Sequence, residues 1–294
     1  MTRMRAGWLW LALWLAPLAQ AAVSARDAAG GTLTLAKPAQ RVVALVPHAV
    51  EMLYAVGAGS QLVATVNYAD YPPEAKRLPR VGGYTGVSLE AVMRQQPDLV
   101  IVWADGTAPR DVARLRSLGI PVFVSRPLQL DDVARELESL GALTGHGAEA
   151  DRAAARYRAQ LAALKARYAV RPTVSVFLQV GELPLYTVSD KSFVGQLVRL
   201  CGGNNVFGAQ PQPAPQVSVE SVIRARPQVL LSTGALSTLA QWRQWGAIPA
   251  VQRNALYALP ADLVVRPGPR LVDGAEAVCR TLDDARARLG LTPG

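Results

Sequence analysis

Histidine and cysteine are almost missing from this chain, with two of each in 294 residues. Zinc and manganese sites draw several imidazole, thiolate or carboxylate groups together. His48 and His146 stand far apart in the sequence, with no H-E-x-x-H and no paired-cysteine motif around them. G-x-S-x-G, G-x-x-x-x-G-K and G-x-G-x-x-G are absent as well. Neither a nucleophile elbow nor a phosphate-binding loop is therefore written. These gaps turn the expectation toward a binding protein without a cofactor or metal of its own, and away from an enzyme. Basic runs interleaved with aromatics are lacking too, so a formal charge of +9 does not read as a nucleic-acid surface. That charge suits solubility or an acidic partner.

Long apolar runs are missing except at the start. Arg3 and Arg5 precede GWLWLALWLAPLA, Gly7 to Ala19, and Ala19-Gln20-Ala21 has the small-residue pattern of a cleavage site. The run is shorter than the ~20 residues a spanning helix needs. Residues 1–22 are expected to be an export signal that leaves a soluble, monomeric protein in the periplasm. No cysteine lies near the cleavage site to carry a lipid. In an oxidising compartment Cys201 and Cys279 are candidates to pair, against the alternative of two buried thiols.

What is present is an alternation of strands and helices around one long rod. GHGAEADRAAARYRAQLAALKARYAV, Gly145 to Val170, is dense in Ala, Leu, Arg, Glu and Gln, all strong helix formers. Ala154, Tyr157, Leu161, Leu164 and Tyr168 recur at steps of three and four, and Pro172 ends the segment. The pattern predicts a backbone helix over 145–170 between an N-terminal lobe, 23–144, and a C-terminal lobe, 171–294. Within each lobe, β-branched runs such as RVVALVP and DLVIVW alternate with helical segments, which implies parallel α/β sheets. VSLEAVMRQQPDLVIV from Val87 and VSVESVIRARPQVLLS from Val217 align without a gap, 130 positions apart. Two Rossmann-like lobes of shared plan follow from that repeat.

The loops carry aromatics. Tyr68 lies in NYADYPP, Tyr84 in GGYTG, Trp103 at the end of a predicted strand and Tyr186 in GELPLYT. In open α/β sheets ligands bind beyond the carboxyl ends of the strands. Large rings there suit a broad, flat, partly apolar ligand, with Asp262 and Arg266 adding polar contacts from the second lobe. Trp242 and Trp245 read instead as core residues of a helix. His48, at a strand-to-helix turn, has a local hydrogen-bonded role competing with a site role. Glu90 and Glu220 are the matched acids of the repeat, each in the first turn of its helix, where the dipole favours a carboxylate. Placed on two lobes, they also make a two-pronged surface for a symmetric basic partner.

Taken together, RVVALVPHAVEMLYAVG, NYADYPPEAKRLPRVGGYTGVSLEAVMRQQPDLVIVW, FLQVGELPLYT, CGGNNVF and PQVSVESVIRARPQVLL resemble the cobalamin (vitamin B12) periplasmic binding proteins of ABC importers. That group falls within the helical-backbone, class III binding proteins that also serve haem and ferric siderophores. The resemblance implies that Tyr68, Tyr84, Trp103 and Tyr186 line a corrinoid and that Asp262 and Arg266 face it. It implies that Glu90 and Glu220 dock on a permease dimer in the inner membrane, and that Cys201 and Cys279 form a disulfide. Tyr84 replaces a usual Trp, while Ala214, Val180 and Leu263 replace aromatics, which thins the cage on the second lobe. Tyr84 also lies near the iron-ligating Tyr of haem-binding relatives, which makes haem the alternative ligand.

Overall fold

The computed structural model describes residues 21–83 and 86–291. Residues 1–20 of the expected export signal, and Tyr84, lie outside the described residues. A hairpin comes first, with β1 (Val23–Arg26) antiparallel to β2 (Thr32–Leu35). The first half then runs β3 (Val42–Ala44), α1 (Pro47–Ala55), β4 (Leu62–Thr65), β5 (Gly82–Gly83), β6 (Gly86–Val87), α2 (Leu89–Arg94), β7 (Leu99–Trp103), α3 (Pro109–Ser117), β8 (Val122–Ser125) and α4 (Leu130–Thr144). Next comes α5 (Gly147–Tyr168), the long backbone helix. The second half holds β9 (Val174–Gly181), β10 (Tyr186–Thr187), α6 (Phe193–Leu200), β11 (Gly203–Asn205), α7 (Val219–Ala225), β12 (Val229–Ser232), α8 (Pro249–Gln252), β13 (Leu256–Ala258), α9 (Ala261–Val264) and α10 (Leu271–Leu289).

Apart from the small antiparallel pairs β1–β2 and β5–β6, two separate sheets result. The first is parallel in the order β4-β3-β7-β8, and the second runs β10-β9-β12-β13 with β11 also pairing β9. Only β10 is antiparallel in the second sheet. The order β3-β7-β8 is thus repeated as β9-β12-β13, and the internal repeat reaches into single residues. Ser88 and Ser218 each cap their helix by accepting from a backbone N–H three residues on, at 3.2 Å in both cases. Gln96 and Arg226 both end their turns at positive φ, 47° and 46°, one residue before Pro97 and Pro227.

The backbone helix spans 147–168 rather than 145–170, a rod of roughly 33 Å at 1.5 Å per residue. Gly145 closes α4 in the left-handed region at φ 80°, a conformation that favours glycine over any residue with a Cβ. Ala150, Ala153, Ala154, Tyr157 and Tyr168 form the buried stripe of α5, with Leu161 and Leu164 half-buried beside it. That stripe belongs to one continuous apolar cluster containing Leu53 and Leu137 from the first half and Leu178, Leu197 and Val278 from the second. Burial at roughly 25 cal/mol per Å² lets this shared core hold the two halves together. The outer faces of the two sheets have their own clusters, around Val100 and Val122 in one and around Phe177 and Trp242 in the other.

Cys201 and Cys279 are joined, linking the end of α6 to α10. Trp242 is fully buried and its indole N–H donates to Gln179 Oε1 at 2.7 Å, but its segment, Leu236–Gln244, is a 3₁₀ turn. Trp245 departs from the core expectation: it follows the turn and is 38% exposed. At Trp245 the backbone has already left the helical path, with φ −99° and ψ 67°. Among the described residues no helix is long and apolar enough to cross a membrane.

Candidate functional site

Parallel strands send their carboxyl ends to one edge of each sheet, and the predicted loops leave from those edges. Tyr68 follows β4, at φ 67°, an uncommon setting for a side chain with a Cβ. Arg80 fixes that loop: Nη1 donates to the carbonyls of Val66 and Ala69 at 2.8 and 3.1 Å, and Nη2 meets Asp70 at 3.2 Å. Trp103 is the last residue of β7. Its amide donates to the Thr107 hydroxyl at 3.1 Å and its carbonyl accepts from Thr107 at 2.8 Å, closing a tight turn. The indole packs against Gly106, where an added Cβ would come within 2.1 Å of the ring. Tyr186 begins β10 opposite Gly181, at the carboxyl end of β9.

Five aromatic rings are substantially exposed among the described residues, and four of them sit on these loops: Tyr68, Tyr71, Trp103 and Tyr186. Large rings exposed at a sheet's carboxyl edge mark a contact surface.

Polar groups join the loops across the two halves. Glu51, on α1, is buried, yet it takes a two-pronged contact from Arg270: Nε at 2.9 Å and Nη2 at 2.6 Å. Arg266 Nη1 lies 3.7 Å from the same carboxylate, and its Nη2 lies 3.4 Å from Asp262, an exposed residue of α9. Arg270 also stacks on the Tyr71 ring at 3.8 Å. Its hydrogen bonds with Glu51 push the guanidinium further into its charged range. A second tie runs through Gln196 of α6, which accepts from the Leu130 amide at 3.2 Å and donates to the Leu128 carbonyl at 2.8 Å.

The structure therefore brings the Tyr68–Tyr71 loop together with Asp262 and Arg266. Trp103 and Tyr186 stand at the corresponding edges of their own sheets. Glu51, Arg270 and Tyr71 were not among the expected site residues. A lone acid in the apolar helix PHAVEMLYA was the one available signal. Glu90 pairs with Arg94 at 2.7 Å on an exposed helix face. Glu220 is fully exposed, and its own amide and the Ser218 hydroxyl hold its carboxyl below the usual range.

His48 takes the local role. Its Nε2 lies 2.7 Å from Ser125 Oγ, which donates to Glu136 Oε2 at 2.6 Å, and Glu136 Oε1 accepts from the Arg126 amide at 2.9 Å. All three side chains are buried, so the chain His48–Ser125–Glu136 ties α1, β8 and α4. Ser125 sits between the other two, so the histidine does not reach the carboxylate as it must in a Ser-His-Asp triad.

Comparison with known proteins agrees with this architecture. The vitamin B12-binding protein of Vibrio parahaemolyticus is 37% identical over 260 residues, 87% of this chain and 94% of the relative. Its counterpart in Vibrio cholerae is 38% identical over 251 residues, 85% of this chain and 91% of the relative. The crystal structure of the Vibrio cholerae periplasmic vitamin B12 binding protein superposes with a TM-score of 0.77 at 37% identity, covering 85% of this chain and 98% of that one. An apo periplasmic haem-binding protein from Roseiflexus sp. RS-1 gives 0.74 at 26% identity, covering 84% and 98%. The family model described as periplasmic binding protein matches residues 42–263, and the chain belongs to that family.

Proposed function

We propose that this protein is the exported receptor of an ABC importer, capturing cobalamin or a related corrinoid and delivering it to an inner-membrane permease dimer. The observation that carries the reading is the set of exposed rings at the carboxyl edges of both sheets, with the Arg266–Asp262 pair linked to the Tyr71 ring through Glu51 and Arg270. A corrin is broad and flat with amide arms, so rings supply area and the charged pair supplies hydrogen bonds. Similarity over nearly the whole length of proteins called vitamin B12-binding supports the same ligand. On this reading Tyr68, Trp103, Tyr186, Asp262 and Arg266 contact the ligand, Tyr84 joins them, and the protein returns its ligand unchanged. Haem is the second reading, favoured by the Roseiflexus likeness and by a phenol at position 84.

Calorimetric titration of the mature protein with cyano-cobalamin, haemin and a ferric hydroxamate separates these readings. Saturable one-to-one binding is expected with cyano-cobalamin alone. Tight haemin binding lost in Tyr84→Phe, with no cobalamin signal, would transfer the assignment to haem. Glu90 and Glu220, equivalent acids on the two halves, are assigned to permease docking. The doubly substituted Glu90→Ala, Glu220→Ala protein is expected to keep the cobalamin isotherm and to lose stimulation of permease ATPase activity. Normal stimulation would remove that role.

A further inference from the structure

Glu51 and Arg270 are 219 positions apart, and their contact is a two-point charged link between the halves. The carboxylate is 2% exposed and both of its oxygens are engaged by the one guanidinium, with Arg266 approaching from the side. Gly268 closes the remaining side: a Cβ there would stand 3.1 Å from Oε2. On its far face Arg270 carries the half-exposed Tyr71 ring. One buried acid from the first half thus organises the RPGPR segment of the second half and a ring of the β4 loop.

We propose that Glu51 is a positioning residue for ligand binding: as a clasp on Arg270 and Arg266 it fixes the spacing of the halves and the placement of Arg266 and Tyr71. The binding role rests on the corrinoid reading above, whereas the spacing role does not. A fork held by two oxygens has one geometry, which a single point charge would not impose. Neutralising the acid leaves two arginines without their shared anion in a buried place, and they turn toward water. Arg266 then leaves its position beside Asp262, and Tyr71 loses the cation beneath it.

The test uses the full mature chain with its native disulfide, spin-labelled at Ala113→Cys on α3 and Ala240→Cys in the turn after β12, both exposed positions. Without ligand, electron–electron distance measurement is expected to give one narrow distribution for the parent and a broadened one for Glu51→Gln. Cyano-cobalamin affinity of Glu51→Gln is expected to fall about tenfold or more. Arg270→Lys, which keeps the charge but not the fork, is expected to lie between the two and serves if Glu51→Gln does not fold. Val198→Ala, a buried truncation on α6, is the control for lowered stability and is expected to keep both the narrow distribution and the affinity. Retention of a narrow distribution in Glu51→Gln, retention of its affinity, or equal losses in Val198→Ala would each overturn the proposal. If the parent itself binds no cobalamin, the corrinoid reading fails while the distance comparison still decides the clasp.

Discussion

Replacing Arg286 by leucine is expected to destabilise the protein by about 3–5 kcal/mol and to lower its melting temperature by roughly 10 °C. Arg286 is 2% exposed on α10 and satisfies three groups from three places. Nε donates to the Pro172 carbonyl at 2.7 Å, just past the backbone helix; Nη2 donates to the Cys201 carbonyl at 2.7 Å; Nη1 meets Asp283 at 2.8 Å. Leucine has nearly the right volume and no donors. The buried Cys201 carbonyl and the part-buried Pro172 carbonyl would both lose their partner. Lysine offers a point charge where a planar fork is needed, so Arg286→Lys is expected to recover only part of the loss. Guanidinium-chloride unfolding of the mature protein measures both. A loss below about 1 kcal/mol for leucine would show that the carbonyls find other donors.

The second large effect concerns pH. Burial holds the His48 imidazole neutral down to about pH 3, against an ordinary value of 6.5. Burial pushes the Glu136 carboxyl from 4.5 up to about 7, although Ser125 and the Arg126 amide pull the other way. The signs oppose. For His48 the unfolded chain binds the extra proton between pH 3 and 6.5, so its contribution to stability grows with pH across that window. For Glu136 the folded state binds the extra proton between pH 4.5 and 7, so its contribution falls as pH rises. Each slope is about 1.4 kcal/mol per pH unit, and they cancel where the windows overlap, from pH 4.5 to 6.5. His48→Gln is expected to uncover the falling limb, about 3 kcal/mol lost between pH 4.5 and 7 relative to the parent. Glu136→Gln is expected to uncover the rising limb from pH 3 to 6.5. Unfolding curves at half-unit pH intervals decide it: parallel profiles for all three proteins would mean that neither group is held in its buried neutral form.

Much of this architecture was legible in the residues, because the strongest forces leave periodic traces. The stripe on α5, the serine caps of α2 and α7 and the β-branched runs of β3 and β7 each repeat at a spacing set by backbone geometry. The repeat between Val87 and Val217 carried the topology of both sheets. The aromatic loops were legible too, since rings next to Asn, Asp, Pro and Gly have no core to enter. Contacts between distant segments left no such trace. Nothing in PHAVEMLYA says that Glu51 meets a residue in RPGPR, because one acid in an apolar helix is equally consistent with many partners. Tyr71 was passed over since its two following prolines marked only a loop. Trp245 misled because AQWRQW fits a helical period, while the turn stops at Gln244 and leaves Trp245 outside it.

On the proposed function, one ligand is held jointly by the carboxyl edges of two sheets. Equilibrium titration of cyano-cobalamin into Trp103→Ala and Tyr186→Ala tests it, since each variant strips a ring from one half only. Loss of a stacked ring is expected to weaken binding in both, by about 1–2 kcal/mol or roughly tenfold apiece. Full affinity in either variant, with the other impaired, would place the ligand on one half and contradict the account.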